Sequence, residues 1–81
     1  MNILFASIGN KLSEVAKGFE KYDYTIIEYD LDHFIDEPEL MKLINWADKV
    51  YCVNENERKL LSFMKAFENK IFIIGHNYIP N

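Results

Sequence analysis

The stretch Ser7-Ile8-Gly9-Asn10-Lys11-Leu12-Ser13 joins a short apolar run to a segment of helical periodicity. A connection of this kind turns main-chain N–H groups and a helix start toward one point, which suits a phosphate or sulfate. Its side chains add two hydroxyls, Ser7 and Ser13, and one cation, Lys11. Ser7, Gly9, Asn10, Lys11 and Ser13 are therefore the candidate anion-binding residues. The loop is not a nucleotide motif: no Gly, Lys and Ser/Thr triplet closes it, and Gly9 alone does not make the three-glycine dinucleotide fingerprint. A purely structural reading stands beside the functional one, in which Gly9 and Asn10 form a tight turn with positive φ and Ser13 caps the helix.

Other reactive residue types are scattered. His33 and His76 lie far apart, and no carboxylate or thiol is spaced to work with either, so both read as surface or turn residues. Cys52 alternates with Tyr51 and Val53, the pattern of a small hydrophobe buried in a strand. It is the sole cysteine, which rules out an intrachain disulfide and points to a reducing compartment. No set of residues has the spacing of zinc ligands. Asp30, Asp32 and Asp36 around His33 read as a solvated acidic loop rather than a cation site. Neither a metal nor a cofactor is expected.

These residues are positioned by an alternation of strands and helices. Ile3 to Ala6 is a continuous apolar run, the mark of a strand buried on both faces. Leu12, Val15, Ala16 and Phe19 then recur at helical spacing up to about Lys21, with Gly18 a weak point. Tyr24 to Tyr29 predicts a second strand. Pro38 fits the first turn of a second helix capped by Asp36 or Glu37, with Leu40, Leu43, Ile44 and Ala47 as its apolar stripe. Lys49 to Val53 predicts a third strand. Asn54 and Glu57 have capping-box spacing before a third helix through Leu60, Leu61, Met64 and Phe67. Ile71 to Ile74 predicts a fourth strand, broken by Gly75. The order βαβαβαβ implies one α/β domain with a parallel sheet and right-handed crossovers. Ligands in such sheets sit beyond the carboxyl ends of the strands, where the strand order reverses. That places Ser7 to Ser13 and Asn54 to Glu57 at the expected site.

Composition narrows the function. The 81 residues are 49% hydrophobic and include six Phe, five Tyr and one Trp, which suits a packed domain rather than a disordered tail. A formal net charge of −4 supplies no basic footprint for nucleic acid. Ile3 to Ala6 is far too short for a signal or membrane segment, so no membrane association and a cytoplasmic location are expected.

On these residues the chain resembles the low-molecular-weight protein tyrosine phosphatase family, including its shorter bacterial members. Asn2 to Phe5, the Gly9 and Asn10 pair, and the interval from Ser7 to Ser13 match the frame of that family's first strand and phosphate loop. Glu37, Pro38, Glu39 and Leu40, then Trp46, Ala47 and Asp48, then Glu55, Arg58, Lys59 and Leu60 resemble its middle segment, so the similarity covers nearly the whole chain up to Ile74. The resemblance implies a four-stranded parallel sheet in the order 2-1-3-4 with about three helices, in three layers or partly two.

The departures from the family decide the expected function. Ser7 stands at the position of the nucleophilic cysteine and Ser13 at that of the phosphate-binding arginine. The family's acid after the fourth strand has no counterpart, because Gly75 to Asn81 contains no Asp or Glu. A serine hydroxyl needs a general base where a thiolate does not, and no base is near Ser7 in sequence. Loss of one electrostatic donor of the arginine's kind can cost roughly 10²- to 10³-fold in rate. The expectation is a catalytically inactive, phosphatase-like binding or regulatory protein, with weak phosphate or sulfate binding as its residual property. Such trimming would suit an accessory protein of a phage or mobile element. Two alternatives stay open: a phosphocarrier similar to the sugar phosphotransferase IIB domains, and a hydrolase using Ser7, for which an arginine such as Arg58 and an acid would have to be brought against it.

Family members continue into a C-terminal helix that packs beside the first helix. Without it, strands three and four are left open on one face, so Val50, Cys52, Phe72 and Ile74, or their alternating neighbours, become candidates for an interface with a protein partner or a second copy. Tyr78 joins this set, and with Ile79 and Pro80 it could instead cover the same face.

Overall fold

In the computed structural model, residues 1–10, 12–32, 35–61 and 69–74 are described, with Asn10 represented by its backbone alone. Lys11, His33, His76, Tyr78, and Met64 and Phe67, which the sequence assigns to the third helix, lie outside them. The elements in chain order are β1 (Asn2–Ser7), a 3-10 turn (Ile8–Asn10), α1 (Ser13–Phe19), β2 (Thr25–Asp30), α2 (Glu37–Trp46), β3 (Lys49–Cys52), α3 (Glu55–Leu60) and β4 (Ile71–Ile73). The strands form one parallel sheet in the order β2-β1-β3-β4. This is the α/β architecture and strand order expected from the sequence.

The apolar run of β1 explains its central place. Ile3, Leu4, Phe5 and Ala6 are each no more than 1% exposed, and a strand with helices on both faces must be apolar on both. Alternate side chains feed two cores. Leu4 and Ala6 pack with Leu40 and Ile44 of α2, Leu61 just past α3, and Val50, Cys52 and Ile71. Ile3 and Phe5 pack with Val15, Ala16 and Phe19 of α1 and with Ile74. Each fully buried side chain of this size contributes roughly 1.5–3 kcal/mol relative to exposure.

Local signals set the boundaries of these elements. Asp36 caps α2, its Oδ1 accepting the Glu39 N–H at 3.2 Å, with Pro38 in the first turn. Asn54 caps α3 in the same way, its Oδ1 accepting the Glu57 N–H at 2.9 Å. Asp48 fastens the start of β1: its carboxylate accepts the Asn2 N–H at 2.7 Å, and its own N–H donates to the Asn2 carbonyl at 2.7 Å.

The face of β3 differs from the interface expectation. The register Leu4↔Val50 puts Val50 and Cys52 on the α2 side, where both are 0% exposed, while Ile74 is buried in the α1 core. These three are core residues. Phe72 is 41% and Ile73 48% exposed on β4, and Tyr51, the alternating neighbour of Val50 and Cys52, is only half-buried. Among the described residues, the exposed apolar side chains of this part of the sheet are therefore on β4.

Candidate functional site at the end of the first strand

Parallel sheets of this kind have one reversal in strand order, here between β1 and β3, and the crevice beyond the carboxyl ends of those strands is their usual ligand position. The Ser7 to Ser13 loop lies there. Ser7 ends β1 and is buried, its carbonyl accepting the Leu31 N–H at 2.9 Å. Gly9 has φ +72°, ψ +22°, the left-handed conformation that glycine adopts without steric cost. The turn role read from Gly9 is thus present.

The two N–H groups after β1 are already occupied by carboxylates of the chain itself. Ile8 N–H donates to Glu57 Oε2 at 3.0 Å. Gly9 N–H donates to Asp30 Oδ1 at 2.8 Å, and the same oxygen accepts the Asp32 N–H at 2.8 Å. Glu57 is 0% exposed, and its second oxygen, Oε1, accepts the Val53 N–H at 2.8 Å. Burial of a carboxylate is costly unless its oxygens are hydrogen-bonded, and here both are.

Ser13 is not a helix cap. Leu12 holds the N-cap position of α1 with no side-chain cap bond, and the Ser13 hydroxyl donates instead to Glu28 Oε1 of β2 at 2.6 Å. Arg58 is not drawn to Ser7: it pairs with Glu55 at 3.3 Å along α3. The capping-box spacing of Asn54 and Glu57 is half realised. Asn54 caps the Glu57 N–H, but the Glu57 carboxylate bypasses the Asn54 N–H and spans the ends of β1 and β3. Sequence spacing alone could not reveal that crossing, because its other end lies 49 residues away.

Cys52 behaves as a buried hydrophobe. Its Sγ lies 3.6 Å from the Phe72 carbonyl and 3.8 Å from that of Asn54. Burial, and then the Glu57 carboxylate nearby, push its thiol from 9.0 up to about 11, partly offset by Arg58. Among the described residues no group of His, Cys, Asp and Glu is arranged to hold a metal ion, and no helix is long and apolar enough to cross a membrane. A recess of about 400 Å³ beside α2, lined by Pro38, Met41, Lys42 and Asn45, lies on a different element from the loop.

No family model matches the chain, and neither curated proteins nor solved structures give a match.

Proposed function

We propose that this chain is a non-catalytic, phosphatase-like binding module that acts through protein contacts. The observation that carries the reading is the filling of the strand-to-helix loop: the Ile8 and Gly9 N–H groups are held by Glu57 and Asp30. A phosphoryl group needs those donors free, since positioning and electrostatic stabilisation by fixed donors are the main protein contribution to such chemistry. An external anion would have to displace one of the two carboxylates, so anion binding is a minor part of the proposal. The protein-contact part is supported by Phe72 and Ile73, which are exposed on β4 at the margin of the sheet. An exposed sheet edge with apolar side chains is a natural surface for pairing with another chain.

The test is incubation with p-nitrophenyl phosphate at several pH values, with wild-type protein and Ser7→Ala compared. Equal, background rates are expected. Turnover that the Ser7→Ala exchange abolishes would replace this reading with a Ser7-dependent hydrolase. Phe72→Ser in a size measurement of the purified protein addresses the contact surface, with a smaller species or unchanged monomer separating self-association from a foreign partner.

A further inference from the structure

Glu57 makes contacts that a helix cap does not. A capping-box glutamate returns to the N–H of its own N-cap residue, here Asn54. The Glu57 carboxylate instead takes one N–H from just beyond the end of each of two neighbouring strands, Ile8 after β1 at 3.0 Å and Val53 after β3 at 2.8 Å. Both donors lie outside α3. The side chain is wholly buried, and no ion pair to it is present among the described residues. Its charge is therefore balanced by main-chain dipoles, as a bound oxyanion's would be.

We propose that the crevice between the ends of β1 and β3 is a carboxylate-binding site whose resident ligand is the chain's own Glu57, and that truncating Glu57 converts it into a site for a free monocarboxylate. The reasoning is one of shape and donors. Glu57→Ala deletes the Cγ, the carboxyl carbon and both oxygens, which is the heavy-atom set of acetate. Glu57→Gly deletes one carbon more, the set of propionate. Two fixed N–H donors are left facing a hole of matching size, and buried donors without partners are costly. A solute that restores both hydrogen bonds binds the folded chain only, and so shifts folding by mass action. This inference depends on the Glu57 contacts alone and is independent of whether the protein is a binding module.

The experiment compares urea unfolding of wild type, Glu57→Ala and Glu57→Gly in sodium acetate, propionate, phosphate and chloride at equal ionic strength. Expected is a gain that grows with the logarithm of concentration above the dissociation constant for Glu57→Ala in acetate and for Glu57→Gly in propionate, with wild type indifferent to both. At a hundred times the dissociation constant the folded-to-unfolded ratio rises about 100-fold. If a variant is unfolded in chloride, the same site is read as folding induced by its matching carboxylate. Glu57→Gln gives an independent arm: one amide oxygen replaces two carboxylate oxygens, so either the Ile8 or the Val53 N–H must lose its acceptor and shift in the ¹H–¹⁵N spectrum. Equal responses to carboxylate and chloride in both truncation variants, or unchanged Ile8 and Val53 signals in Glu57→Gln, would overturn the proposal. A gain in phosphate but not in carboxylate would overturn the assigned ligand class.

Discussion

The Ser13 hydroxyl donates to the Glu28 carboxylate at 2.6 Å, tying the first residue of α1 to β2. A charge-assisted bond this short is directional, but it is exposed, so Ser13→Ala should cost only roughly 0.5–1.5 kcal/mol in urea unfolding. The same contact governs an attempt to install the cysteine and arginine of the phosphatases that the sequence resembles. In a Ser7→Cys, Ser13→Arg variant, the guanidinium meets Glu28, and arginine pairs with carboxylates in bidentate fashion. With Ile8 also held by Glu57, the double variant should show no turnover of p-nitrophenyl phosphate beyond that of Ser13→Arg. A thiol-dependent rate would mean that the loop retains productive geometry and lacks only two side chains.

Gly9 separates conformational strain from crowding. An added Cβ would meet nothing within 4 Å, yet φ is +72°, so the whole penalty of Gly9→Ala is conformational. That penalty is about 1–2 kcal/mol. Gly9→Asn should cost less, because asparagine enters the left-handed region more readily. Chemical denaturation of both variants checks the order, and equal costs would show that the turn relaxes.

Fold and site were legible to different depths for a physical reason. Ile3 to Ala6, Pro38 with its cap, and Asn54 with Glu57 carry local signals, and the strands and the starts of α2 and α3 follow from them, whereas the strand order is implied only by the family resemblance. The side of the sheet that Val50 and Cys52 face did not follow, because it depends on the register against Leu4 and a one-residue slip reverses it. The loop itself was found, but its occupants were not: Asp30 and Glu57 reach Gly9 and Ile8 from 21 and 49 residues away. Such pairings are decided by tertiary packing. The one sequence signal at Glu57 is its capping-box spacing from Asn54, which points to a local contact rather than to the longer reach.

Cys52 links burial to pH. Its thiol is pushed from 9.0 to about 11, first by burial and then by Glu57. The thiolate is the reactive form, so alkylation of the native protein at neutral pH should be slow and should accelerate on addition of urea. In the unfolded chain the thiol loses its proton near 9, whereas the folded chain keeps it until about 11. Between those values the folded state binds more protons, and stability must fall as pH rises. Urea midpoints measured from pH 8 to 11 for wild type and Cys52→Ala check the sign. The wild type should lose stability relative to the variant across that window, and parallel curves would remove the thiol as the cause.

The aromatic residues of the α1 face grade from core to surface, and their energetics should follow. Phe5 stacks against Tyr51, centroids 5.5 Å apart, and packs at 5.5 Å against Phe19 of α1. Tyr51 in turn meets Phe72 at 6.0 Å, where Lys49 Nζ lies 5.9 Å from the ring. Phe5 is 1% exposed and Phe72 41%. Phe5→Ala leaves a cavity that rigid strands on either side cannot close, at about 3–5 kcal/mol, a large share of a small domain's stability of about 5–15 kcal/mol. Phe72→Ala removes a ring that already faces water on one side, and aromatic pairing beyond area burial is worth about 0.5–1.5 kcal/mol, so the loss there should be near 1 kcal/mol. Urea unfolding of the two variants at equal protein concentration discriminates them. If Phe72→Ala instead proves as costly as Phe5→Ala in the monomer, that ring is covered by a part of the chain, and the β4 surface is not free for a partner.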